Sequence, residues 1–257
     1  MRILAASVCC SLFGCSPSPA PSADLEGRVD EKMEAAAAAL KYPPGTYITV
    51  ESYGGKTVSG YRIAKILRQK GLGVEVRHLC LSACASMIFV GAPMRRILPG
   101  GIVALHGSDA GFLLFSRQSV GANVPPVHPQ THILAGQELA LYREAKVRPD
   151  FLYAQYVKAG RVCYSSDERD SPFKGSYNLG TQVTAYAPSA ATFRAFGVEV
   201  EGENAEGHNG PGFYLPENPS VSISLDNGTP LTPPSGGRTS PEHENLSLLI
   251  AAEPSSA

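Results

Sequence analysis

Leu79-Cys80-Leu81-Ser82-Ala83-Cys84-Ala85 is the stretch from which the fold is read. It closes a strand run over residues 74–79 and opens an apolar run over 83–90, so a strand is predicted to turn into a helix at Ser82. The second run is apolar on nearly every face, which predicts a buried helix, and Gly91-Ala92-Pro93 ends it. Working outward, residues 46–52 form a strand pattern. Residues 58–70 carry Ile63, Ile66 and Leu67 at helical spacing and stop at Gly71 and Gly73, and residues 102–105 make a third strand with His106 at its end. Strand, helix, strand, helix, strand implies crossover connections and a parallel sheet, hence an α/β fold.

In open parallel sheets, sites form beyond the C-terminal ends of the strands. Gly54-Gly55, Ser82 and His106 each fall just after the end of a successive strand. Ser82 sits at a helix N-terminus, where the Ala83 N–H has no intrahelical partner and the dipole favours negative charge. Glycine at 54 and 55 lets a second N–H approach the same point with no side chain in the way. Two such donors suit an oxyanion, and a histidine suits the removal and return of a serine proton. Taken singly, each feature has a plainer explanation: a serine N-cap, a loop diglycine, a packed histidine.

Together they resemble the Clp-protease and crotonase superfamily, and within it the exported ClpP-like proteins of bacteria. Val50-Glu51-Ser52-Tyr53-Gly54-Gly55 is similar to the family's strand ending in Ser-x-Gly-Gly. Cys80-Leu81-Ser82-Ala83-Cys84 is similar to its nucleophile turn, Gly91 to the glycine closing the next helix, and Leu105-His106 to its catalytic histidine. A weaker similarity runs from Tyr186-Ala187-Pro188 to Phe196-Gly197-Val198. The resemblance implies a Clp/crotonase-like parallel β-sheet with repeated ββα/βα crossover units and helices packed around it. It also implies Ser82 as nucleophile, His106 as base, and the N–H groups of Gly55 and Ala83 as the oxyanion hole. The family's orienting Asp should lie upstream of the 186–198 segment, where this chain offers Asn178, with Asp167 and Asp170 earlier; Asn178 stands as the third triad candidate. An Asn can hold an imidazole in one tautomer but stabilises imidazolium less than a carboxylate does. Acyl-CoA chemistry on the same fold is disfavoured, because coenzyme A is not expected outside the cytoplasm.

Export is expected from the first fifteen residues. Arg2 is a minimal positive region, residues 3–13 are apolar but too short to span a bilayer, and Leu12-Phe13-Gly14-Cys15 resembles a lipobox with Cys15 as the lipidated residue. Phe13 is larger than usual there, and an ordinary secretory signal cleaved at 17–20 is the alternative. The expected organisation is a lipoprotein signal peptide at 1–15, a Pro/Ser tether at 16–23, a ClpP/crotonase-like domain at 24–200 with an N-terminal helix over 24–42, and a largely disordered Gly/Pro/Ser-rich tail at 201–257. The expected location is the periplasm, lipid-anchored to the cell envelope at the outer membrane.

Of six cysteines, Cys80, Cys84 and Cys163 lie outside the signal, in a compartment that permits disulfides. Cys80 and Cys84 could bridge if the chain bends at Ser82 to bring their Cα atoms within about 4.4 to 6.8 Å, while a Cys80–Cys163 pair stays open. No metal site is expected: the Cys-x-x-x-Cys spacing lacks a second ligand pair, and Pro129 between His128 and His132 argues against a shared helical face. His208 and His243 fall in Gly-, Pro- and Asn-rich tracts. With 18% charged residues, a net charge of −1 and no basic stripe, nucleic acid is not expected as a partner. No cofactor is expected. The expected partners are a peptide or acyl-ester substrate and a membrane met only through the lipid anchor, with homo-oligomerisation left open. Two functions follow: an exported serine hydrolase, a peptidase above all, or a non-catalytic periplasmic binding or assembly protein on the same scaffold.

Overall fold

β3, Gly73–Leu81, lies at the middle of a five-stranded parallel sheet. Its burial follows its sequence: Val74 and Val76 alternate with the half-buried Glu75 and Arg77, His78 is exposed, and Leu79–Leu81 are buried throughout. Val74, Val76 and Cys80 have no solvent exposure. In this computed structural model the described residues are 23–120, 128–158, 183–204, 213–215 and 218–225. β2, Tyr47–Ser52, pairs along one edge of β3, and the short β1, Leu25–Glu26, pairs with β2. On the other edge, β4, Arg95–Ile97, pairs with Val74–Val76, and β5, Ile102–Ala104, pairs farther along with Leu79–Leu81. β4 and β5 thus serve as one interrupted strand.

Helices surround the sheet: α1, Glu31–Ala39; α2, Thr57–Lys70; a buried π-helix, Cys84–Phe89; α3, Asp109–Val120; α4, Pro129–Glu144; and α5, Asp150–Lys158. α2 ends as its sequence predicts, with Gly71 in the left-handed conformation at φ 65° and its N–H returned to the last turn. The core gathers Ile48, Val50, Ile63, Leu67, Phe89, Val103 and Phe193, among others, between sheet and helices. Beyond β5, Leu105 forms an antiparallel bridge with Tyr186 of β6, Val183–Ala187. β6 belongs to a second sheet with β8, Asn218–Leu225, and β7, Phe213–Leu215, in the order β6-β8-β7. The short α6, Ala190–Ala195, follows β6. The result is an α/β fold with a mostly parallel sheet and surrounding helices.

One local expectation is corrected. The helix predicted over 24–42 begins only at Glu31, because Asp24, Leu25 and Glu26 are drawn to the sheet edge. Asp24 accepts the Thr49 N–H at 2.8 Å, and Leu25 registers with Val50. Asp30 then caps α1, accepting the N–H groups of Lys32 and Met33 at 2.9 and 3.1 Å. Of its five alanines only Ala37 is buried. Regular pairing also continues to Leu225, inside the stretch whose composition predicts a disordered tail.

The π-helix is closed by a buried cation. Arg95, 5% exposed, donates from Nε to the Phe89 and Val90 carbonyls at 3.1 and 3.0 Å and from Nη2 to Val90 at 2.7 Å. Burial lowers its pKa to about 10, which leaves it charged at neutral pH against the negative end of the helix. Arg95→Ala removes the guanidinium donors from those carbonyls, leaving Phe89 only the Ala92 N–H, and should cost about 2–4 kcal/mol. Urea unfolding measures it; a loss under about 0.5 kcal/mol would show that Arg95 does not hold the helix end.

Candidate active site

Ser82 is where β3 stops, and its backbone takes φ 61°, the left-handed conformation that a residue with a Cβ seldom adopts. Three contacts hold it there. Its own N–H donates to Ala104 of β5 at 3.1 Å, its carbonyl accepts the Ser86 N–H at 2.8 Å, and the Cys80–Cys84 disulfide closes the five residues around it with a Cα separation of 5.2 Å. The bend at Ser82 is what brings the two cysteines into bridging range, so the sequence expectation of a Cys80–Cys84 bridge is met.

The diglycine is placed against this turn by an irregularity in strand pairing. Val50 registers with Val76 but Ser52 with Cys80, so β3 spends two more residues than β2 over the same rise. Gly54 is thereby set opposite Ser82 rather than opposite Cys80. A Cβ on Gly54 would lie 2.5 Å from Ser82 Cβ, 2.7 Å from the Leu81 carbonyl oxygen and 3.0 Å from Ser82 Oγ, and its φ of 95° also favours glycine. Gly55, φ 151°, is pressed against the Val29 backbone, where a Cβ would collide with the carbonyl oxygen. The Gly54 N–H is taken by Ser52 Oγ at 3.0 Å. The N–H groups of Gly55 and Ala83 meet no acceptor among the described residues.

His106 follows β5, which runs beside β3 with Ala104 registered to Leu81, so Ser82 and His106 leave the same end of adjacent strands. Its Nδ1 is buried with no hydrogen-bond partner among the described residues. Burial lowers the imidazole pKa, with the Gly107 backbone acting in the opposite sense, and the ring is neutral at neutral pH. No hydrogen bond joins Ser82 Oγ to His106. Ser86 is turned away: its hydroxyl donates to the Ser82 carbonyl at 3.1 Å, the bond four residues back that its place on a buried helix predicts.

Two acids at the start of α3 carry no motif in the sequence. Glu138 of α4 is 1% exposed and accepts the Ala110 N–H at 2.8 Å. Burial, and then the charge of Asp109, raises its pKa to about 8. Burial raises that of Asp109 to about 6. Helical periodicity across 129–144 would have placed Glu138 on the inner face, but nothing in the sequence assigned it a partner.

Other expected residues fall elsewhere. Asn178, Asp167, Asp170, Cys15, Cys163, His208 and His243 lie outside the described residues. His128 caps α4, its Nδ1 accepting the Gln130 N–H at 3.1 Å, and His132 sits within that helix. Among the described residues no group of three or more His, Cys, Asp or Glu side chains could hold a metal ion, and no helix is long and apolar enough to cross a membrane.

No protein-family model and no curated protein matches the chain. Among solved structures it is similar to a point mutant of ClpP1 from Listeria monocytogenes, with 13% identity over 51% of this chain and 75% of that chain and a TM-score of 0.35.

The disulfide yields a test of the turn. Replacing Cys80 and Cys84 together by Ala should cost about 2 kcal/mol, the chain-entropy value for so short a loop. It should also speed amide exchange at residues 82–86 relative to α2. Unchanged stability and exchange would show that the turn holds itself without the bridge.

Proposed function

We propose that the protein is an exported serine hydrolase, a peptidase above all, whose substrates are peptides or acyl esters. The observation that carries this reading is the left-handed Ser82, pressed against Gly54 and delivered beside His106 at one end of the parallel sheet. A strained residue at a strand-to-helix turn, with its hydroxyl at a helix N-terminus, is the arrangement that presents a nucleophile.

In the proposed reaction, Ser82 Oγ attacks the substrate carbonyl carbon as His106 takes the hydroxyl proton. The carbonyl π pair moves to oxygen, and the N–H groups of Gly55 and Ala83, both without acceptors among the described residues, bind the resulting oxyanion. Collapse breaks the bond to the leaving amine or alcohol, which takes the proton from His106. Water then attacks the acyl-serine with His106 as base, releasing the acid and restoring Ser82. A neutral imidazole of lowered pKa is the form this cycle requires at its start. Asn178 is the proposed partner for His106 Nδ1. The Clp-like resemblance of the Ser-x-Gly-Gly, Ser82 and His106 segments supports the same roles, and the N-terminal Leu-Phe-Gly-Cys stretch supports export with lipidation at Cys15.

One observation favours a second reading, a non-catalytic binding or assembly protein: Ser82 and His106 are not hydrogen-bonded to each other. Hydrogen bonds of this kind are often long before substrate binds.

A fluorophosphonate probe separates the two. Wild type should be labelled, Ser82→Ala and His106→Ala should each lose at least about 100-fold in labelling rate, and Ser86→Ala should retain it. The rate should rise with pH as His106 deprotonates, with a midpoint below the ordinary histidine value of 6.5, and be flat at neutral pH. A folded wild type inert to the probe would favour the scaffold.

A further inference from the structure

His106 stands on a two-residue span between two anchors. On its N-terminal side, the Leu105 N–H donates to the Tyr186 carbonyl at 2.7 Å and the Tyr186 N–H donates to the Leu105 carbonyl at 2.6 Å. On its C-terminal side, after Gly107, the chain enters the first turn of α3. There the free N–H groups that open any helix require acceptors. Ser108 supplies one, accepting the Gly111 N–H at 3.0 Å. Another is met from α4: Glu138 Oε2 accepts the Ala110 N–H at 2.8 Å, and the Ser108 hydroxyl and Asp109 backbone favour the charged form of the same carboxyl.

We propose that Glu138 is a positioning residue of the Ser82–His106 site, fixing the 108–110 segment so that the imidazole two residues earlier is held beside Ser82. The inference rests on the hydrolase reading for its catalytic consequence but not for its structural one. A carboxyl group buried this completely is costly to keep, and apolar packing alone would be met at lower cost by Leu or Met at this point of α4. What Leu and Met lack is an acceptor for the Ala110 N–H. The Ala110 N–H bonded to Glu138, and the Ser108 and Asp109 groups that favour its charged form, lie in the segment directly after His106. The Leu105–Tyr186 bridge alone would leave His106 and Gly107 hinged at one end, and Gly107 offers little resistance to rotation.

The test compares Glu138→Ala with Glu138→Gln in the full chain. Gln keeps one carbonyl oxygen for the Ala110 N–H; Ala keeps none. In Glu138→Ala, amide exchange at 107–111 should quicken at least about tenfold relative to β3, and the His106 titration followed by NMR should shift toward the ordinary histidine value as the ring gains water. Fluorophosphonate labelling should slow at least about tenfold, with the loss in the maximal rate rather than in probe affinity, and Glu138→Gln should recover most of it. If wild type is not labelled, the hydrolase reading fails, while exchange and the His106 titration still decide the positioning. If Glu138→Ala does not fold, Glu138→Asp takes its place: its carboxyl is withdrawn by one methylene and should produce the same shifts in smaller measure. A folded variant with unchanged exchange at 107–111 and an unchanged His106 titration would overturn the proposal.

Discussion

A serine held in the left-handed region is the constraint on which the rest of this structure depends. The conformation costs about 1–2 kcal/mol for a residue with a Cβ, and it persists only where the surroundings over-determine it. Here they do so from three directions. Gly54 allows backbone to pass against Ser82 where a methyl group would collide with it. The Cys80–Cys84 bridge ties the residues on either side. The Ala104 carbonyl fixes the Ser82 N–H to the neighbouring strand. Remove the bend and three things fail together: the cysteines separate, Gly54 loses its neighbour, and the helix after Ser82 points elsewhere.

That helix is wider than usual. The Val90 N–H returns to the Ala85 carbonyl five residues back, the bond that defines a π-helix, and every residue from Cys84 to Phe89 is buried. α2 approaches it closely at Gly60, where a Cβ would lie 2.9 Å from Met87 Cβ. Arg95 then closes its far end with a buried positive charge. The helix is therefore fixed at both termini, and its N-terminus, with the open Ala83 N–H, points to the same end of the sheet from which His106 emerges. Electrostatics and packing together hold the Ala83 N–H still, and it meets no acceptor among the described residues.

The part of this that was legible in the sequence was the part written in local chemistry. Alternating apolar runs and glycine stops gave β2, α2, β3 and β5 nearly to their ends, and Ser82, Gly54-Gly55 and His106 were placed by their position after those strands. Other features were written in tertiary contacts. Leu25–Glu26 became an edge strand because β2 had an unpaired edge to fill, which outweighed the helix formers that follow. The displacement that sets Gly54 opposite Ser82 depends on pairing between β2 and β3 and leaves no trace in either strand alone. Periodicity puts Glu138 on the inner face of α4, but its partner exists only once α3 is packed against α4. Asn178 and Cys15 remain expectations of the sequence.

Acylation of Ser82 itself is the most direct test of the central claim. Treating the protein with a small excess of an activated acyl ester, quenching in acid and mapping the peptides by tandem mass spectrometry should show one acyl group per chain, carried on Ser82, with Ser86 unmodified. Acylation scattered over lysines and tyrosines, or no mass gain at all in a folded protein, would contradict the account.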